Sequence, residues 1–133
     1  MNCNLLAHSL KQQFSEVGIP LHCNDKHYIQ SIEKLPAILL LPPQLIEIER
    51  NKNGRKSYSI ELYMLEYGAK LTPEEREIKI AEMESKILEA LTSLGELPNI
   101  IAVERLKLRP SLFNLTTRGE ISLSATAEII TCF

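Results

Sequence analysis

The stretch from Gln44 to Tyr67, QLIEIERNKNGRKSYSIELYMLEY, decides how the chain folds. Apolar and polar residues alternate through it with a period of two, the signature of β-strands rather than helix. Ile46 and Ile48 alternate with Glu47 and Glu49, which predicts a half-buried strand over Gln44–Asn51. The returning strand spans Ser57–Tyr67: Tyr58, Ile60, Leu62 and Met64 point one way, and Ser57, Ser59, Glu61, Tyr63 and Leu65 the other. Between them Asn51-Lys52-Asn53-Gly54 supplies residues that tolerate the positive φ of a tight hairpin.

Working outward, Ala37–Leu41 is a continuous apolar run between prolines, which predicts a strand covered on both faces. Pro42 and Pro43 have no N–H to give a ladder, so pairing has to pause or bulge there. Residues 20–34 read as a short strand at Leu21–Asn24 and then an irregular connection. Before them Leu6, Leu10, Phe14 and Val17 form one helical stripe over residues 4–17, with Asn4 as its cap and Gly18 and Pro20 as its end. After the hairpin, Thr72-Pro73-Glu74-Glu75 carries a cap, a proline at the first helical position and a capping-box glutamate. The helix is expected to run to Leu94 and stop at a left-handed Gly95, with Ile80, Met83, Ile87, Leu91 and Leu94 as its core stripe and Ala81 and Leu88 widening it.

Two more strands close the chain, one over residues 100–109 and one from Glu120 to Phe133. The last aligns Ile121, Leu123, Ala125, Ala127, Ile129, Thr131 and Phe133 on one face, and Ser122, Ser124, Thr126 and Glu128 on the other. Its length allows two readings: a central strand, or a strand that outgrows its sheet and pairs with another subunit. The element order predicts a single α+β domain over residues 1–133. Its mostly antiparallel sheet has four to five strands, with the long helix and the N-terminal helix on one face.

Composition narrows the function classes. The chain has 133 residues, 44% hydrophobic and 24% charged, with 15 basic and 17 acidic residues and a net charge of -2. Such a balance lacks the general attraction to phosphate that nucleic-acid binders use. The longest apolar stretch, Leu35–Leu41, is far short of the roughly 20 residues that span a bilayer. The first residues show no secretory pattern, and Cys3, Cys23 and Cys132 are odd in number and far apart, so a reducing cytoplasmic setting is expected.

Four groups invite a chemical reading. His22, Cys23, Asp25 and His27 contain zinc donors, and an extended backbone would put Cys23, Asp25 and His27 on one face, but the spacing matches no metal motif. A thiol nucleophile at Cys23 would need a base held against it in a cleft, and nothing in the pattern provides one. Glu104 and Lys107 have the wrong parity for a magnesium nuclease, because three positions apart on a strand they face opposite ways. Finally, the cations around the turn, from Arg50 through Lys52 to Arg55 and Lys56, fit either contact with an acidic partner or a phosphate backbone, or solubility protection of an exposed hairpin. No catalytic, cofactor or metal residue is assigned, and no cofactor is expected.

The N-terminal helix, the Leu35-Pro36-Ala37-Ile38-Leu39-Leu40-Leu41 strand, the hairpin with Ile60-Glu61-Leu62-Tyr63-Met64, the helix over 73–94 and two closing strands together resemble the tail-terminator and head–tail joining proteins of long-tailed phages. The likeness covers most of the chain and is one of element order; the Pro42-Pro43 break and the His22–His27 loop have no counterpart in it. It implies a non-enzymatic virion component of a phage or prophage. Such a component forms a ring, typically a hexamer, that caps the tail tube and docks to the head connector. It would be cytoplasmic during assembly and then part of the virion, with self, tube and connector proteins as partners and no membrane or specific nucleic acid. The hairpin tip, Lys52, Asn53, Gly54, Arg55 and Lys56, is the candidate interface. The alternative is a small α+β binding protein or subunit of a bacterial complex unrelated to phage.

Overall fold

Two long strands, β4 (Arg55–Glu66) and β6 (Ile121–Cys132), pair antiparallel along their whole length, from Arg55 opposite Cys132 to Glu66 opposite Ile121. The computed structural model describes residues 1–48, 54–111 and 119–132. On the far side of β6 runs β5 (Ile100–Pro110), also antiparallel. On the far side of β4 two short strands share one edge: β2 (Ala37–Leu40) pairs with Leu62–Leu65, and β3 (Gln44–Ile48) pairs with Lys56–Ser59. β1 (Leu21–Cys23) adds to β2 in parallel. The described residues thus form one six-stranded sheet, β1-β2-β4-β6-β5 with β3 beside β4, and the fold is the expected α+β class with one strand more than the pattern suggested.

Pro42 and Pro43 end the β2 pairing and let the same edge of β4 be used twice. Leu41 N–H still bonds Glu61 O at 2.9 Å before the break. The final strand is central, held between β4 and β5, so the reading in which it lacks an intramolecular neighbour is overturned.

Both helices pack on one face. α1 (Cys3–Glu16) buries Leu6, Leu10 and Phe14, and α2 (Pro73–Gly95) buries Met83, Ile87, Ala90, Leu91 and Leu94. They meet the even-numbered side of β4, where Tyr58, Ile60, Leu62 and Met64 are buried, and the odd-numbered side of β6 from Ile121 to Ile129. A smaller cluster covers one end of the opposite face: Ile29, Ile32 and Leu35 sit on Ala37, Leu39 and Leu65. β2 is therefore buried at all four positions, as its unbroken apolar run predicts.

Several local expectations need correction. The cap of α1 is Asn2, not Asn4: its side-chain oxygen accepts from Leu5 N at 2.8 Å, so the helix starts a residue earlier. Thr72 caps α2 as expected, accepting from Glu75 N at 3.2 Å. Gly95 is the last helical residue rather than a left-handed stop, and the helix closes through Glu96 N–H onto Leu94 and Ser93 carbonyls. The widening of the stripe falls on Ala90; Ala81 and Leu88 are exposed, because they lie off the arc that meets the sheet.

Tyr58 joins the sheet to the N-terminus. Its ring is buried and its hydroxyl donates to Met1 O at 2.9 Å. Burial, and after it the Cys3 thiol, push the phenol above its ordinary value of 10.0. The folded chain holds that proton more tightly than the unfolded chain. This stabilisation is complete below the unfolded value and fades as pH rises through the folded one. Tyr58→Phe should cost about 0.5–1.5 kcal/mol at neutral pH. It should also flatten the loss of stability above about pH 10; urea melts at pH 7 and at alkaline pH check both. Gly68→Ala should cost about 1–3 kcal/mol by overpacking, because a Cβ there would run into the Ile121 side chain and come within 3.2 Å of Ile121 N; a melt indistinguishable from the parent would contradict it.

Candidate functional site

β3 is the least protected element of the sheet. All five of its residues are exposed, and three are large aliphatics: Leu45 at 46%, Ile46 at 48% and Ile48 at 46%. The half-buried strand expected from the alternation is not what forms, for two reasons. The helix layer that buries Tyr58 does not extend over the strand beside it, whose five residues are all exposed. A β-bulge between Leu45 and Glu47 also resets the phase. Leu45 stands opposite Tyr58 and Ile48 opposite Lys56, so these two share the helix-side face, while Glu47, opposite Ser57, points the other way. Ile46 becomes the extra residue of the bulge, which removes it from the face that alternation gave it.

The candidate tip is described in part. Lys52 and Asn53 lie outside the described residues. Gly54 has φ 55°, the left-handed conformation for which a turn selects glycine. Arg55 and Lys56 already belong to β4 and are half-buried. Lys56 reaches back, its Nζ donating to Met1 O at 3.3 Å, so it braces the N-terminus instead of projecting from the tip. Arg55 Nε is buried and has no hydrogen-bond partner among the described residues.

The face of the sheet away from the helices is polar. The register lays Tyr63, Ser124 and Arg109 in one row and Glu61, Thr126 and Lys107 in the next. A shallow cleft of about 280 Å³ lies among Glu61, Lys107, Arg109, Ser124 and Thr126. The following row places Glu104 directly opposite Glu128. Like charges so placed repel, and a second β-bulge answers them: Arg105 takes φ 53° and its guanidinium donates to Glu128 at 2.9 Å.

At the other edge, α2 and β5 leave an apolar groove of about 480 Å³. Leu88 and Leu91 line it from the helix, and Val103 and Leu106 from the strand. Leu88, expected to widen the core stripe, is 45% exposed at the rim of this groove. The available signal was an apolar arc on α2 wider than the stripe that a single sheet covers.

The residues from His22 to His27 do not form one face. Cys23 ends β1, Asp25 caps a 3-10 turn (Lys26–Ser31) by accepting from His27 N at 3.0 Å, and His22 packs at 46° on Tyr28 with ring centroids 5.6 Å apart. Asp25 is spent on the turn, which breaks the extended geometry that the metal reading required. Burial raises the Cys23 thiol above its usual value, away from the reactive thiolate. No group of three or more His, Cys, Asp or Glu side chains among the described residues is placed to hold a metal ion. No helix among them is long and apolar enough to cross a membrane.

Neither a family model nor a curated protein matches this chain.

The bulge in β5 gives a direct test. A non-glycine residue in the left-handed region costs about 1–2 kcal/mol, whereas an exposed ion pair is worth about 0–1 kcal/mol. Arg105→Gly and Arg105→Ala both remove the pair with Glu128, and only glycine relieves the backbone. The glycine variant should be the more stable of the two by about 1 kcal/mol in denaturant titrations; equal midpoints would mean that the bulge is not held in this conformation.

Proposed function

We propose that this chain is a non-enzymatic phage or prophage assembly protein of the tail-terminator or head–tail joining kind. It associates with copies of itself into a ring, a hexamer by the resemblance, which caps the tail tube and presents a docking face to the head connector. The observation that carries this reading is β3: a sheet-edge strand, exposed at every position, that keeps three large aliphatic side chains in solvent. A protein that acts alone gains nothing from such a strand, which invites aggregation unless a partner covers it. The element order α1, β1–β4, α2, β5, β6 supports the same reading, since it repeats the arrangement on which the resemblance rests.

Association of this kind is geometric. A head-to-tail contact between unlike patches closes into a ring when the rotation per subunit divides a full turn. Charged residues at the ring's two faces then select partners and suppress wrong ones.

Concentrated protein should show rings by negative-stain electron microscopy and a matching mass by light scattering. The paired substitution Arg55→Glu and Lys56→Glu should keep the circular dichroism spectrum, lose no more than about 1–2 kcal/mol of stability, and reduce capping of tail tubes or joining to connectors at least about tenfold. Undiminished joining would remove the hairpin base from the interface. A stable monomer or dimer that never adds to tubes or connectors would favour a small binding subunit outside phage biology.

A further inference from the structure

We propose that the ring closes by seating the aliphatic face of β3 from one copy in the α2–β5 groove of the next. This rests on the assembly reading above and names the two surfaces that reading requires.

Placement is the first argument. β3 lies beyond β4 at one side of the sheet and β5 is the terminal strand at the other, so the two patches sit at opposite edges of one molecule. Unlike patches on opposite sides make a head-to-tail contact, whereas a patch that met its own copy would stop at a dimer.

Shape and chemistry are the second. Leu45 and Ile48 share the helix-side face of β3, and the groove opens on the helix side of the sheet between α2 and β5, so a neighbour related by rotation can present one to the other without turning over. At about 480 Å³ the groove falls within the roughly 300–1,000 Å³ range that accepts a ligand-sized group. Leu88 and Leu106 offer it aliphatic walls.

Charge is the third. Lys56, opposite Ile48, is a cation on the helix-side face beside the strand's aliphatic patch, and Glu96 is the charged side chain that lines the groove.

The contact is made by side chains and not by extending the sheet. Register breaks between Ile100 and Ala102 and between Glu104 and Lys107 interrupt the β5 backbone, and Pro110 removes a donor at its end. A strand edge bulged and charged in this way is a poor template for another strand, which leaves the groove as the receiving surface.

Two variants of the full chain test this. Ile48→Asp spoils the strand and leaves the groove intact; Leu88→Asp does the reverse; both positions are about half exposed, so thermal melts should match the parent. By sedimentation at matched concentrations, the parent should form closed oligomers, and each variant alone should associate at least about tenfold more weakly. An equimolar mixture of the two should form dimers and nothing larger, because one good strand and one good groove remain per pair. Parent-like association of either variant, or a mixture no more associated than its components, overturns this contact; if the parent still forms rings, the assembly reading survives. A parent that stays monomeric at every concentration, with or without tail tubes, overturns both.

Discussion

The register between β4 and β6 is the constraint on which the rest of the structure depends. It puts Tyr58, Ile60, Leu62 and Met64 in line with Leu123, Ala125, Ala127 and Ile129, and so makes one continuous apolar floor for α1 and α2. A slip of one residue in β6 would turn Leu123, Ala125, Ala127 and Ile129 outward and bring Ser124, Thr126 and Glu128 beneath the helices. Burying an aliphatic or aromatic side chain is worth about 1.5–3 kcal/mol, so the correct register wins by a wide margin. The small residues Ala125 and Ala127 sit where the helices come down on the sheet. The long helix is fixed by the same floor, since its buried positions Met83, Ile87, Ala90, Leu91 and Leu94 make a single line.

That floor does not extend to β3, and the sheet's edges are treated differently from one another. β5 carries two bulges, alternating charges and a terminal proline, the usual means by which a soluble protein keeps other strands away. β1 is three residues long and flanked by a 3-10 turn. β3 has one charge, Glu47, and leaves aliphatic surface in water beyond the end of the helix layer. A chain that protects one edge so thoroughly and leaves another apolar is not short of ways to protect edges. The difference between the two edges is what gives the molecule a direction.

Much of this was legible in the sequence, because period and punctuation report local structure well. Alternation gave β4 and β6 with their faces, Thr72-Pro73 gave the start of α2, and the proline-bounded run gave a strand buried on both sides. The misreadings share a cause: each depended on what lies opposite a residue. Ile46 and Ile48 alternate with glutamates, but a bulge, which alternation cannot reveal, put Leu45 and Ile48 together. Leu88 has the composition of a core residue, and only the position of β5 shows that it lies at the rim of a groove. Arg55 and Lys56 read as free cations at a turn until the N-terminal backbone was found beside Lys56. The His22–His27 cluster looked like donors in a row until Asp25 proved to be a helix cap.

A contact of the kind proposed between β3 and the α2–β5 groove would suit assembly on a template better than independent association. Leu45 and Ile48 are each about half exposed already, so covering them fully gains roughly 1 kcal/mol apiece. Bringing two molecules together costs about 4–15 kcal/mol in lost motion. One such contact, even with its groove and its charges, leaves two copies weakly bound. Closing a ring changes the balance, because the last contact forms within a molecule and meets a high effective concentration. A tail tube that gathers subunits at its end would have the same effect on every contact before the last. Surfaces of this strength stay apart when dilute and lock when ordered by something already built.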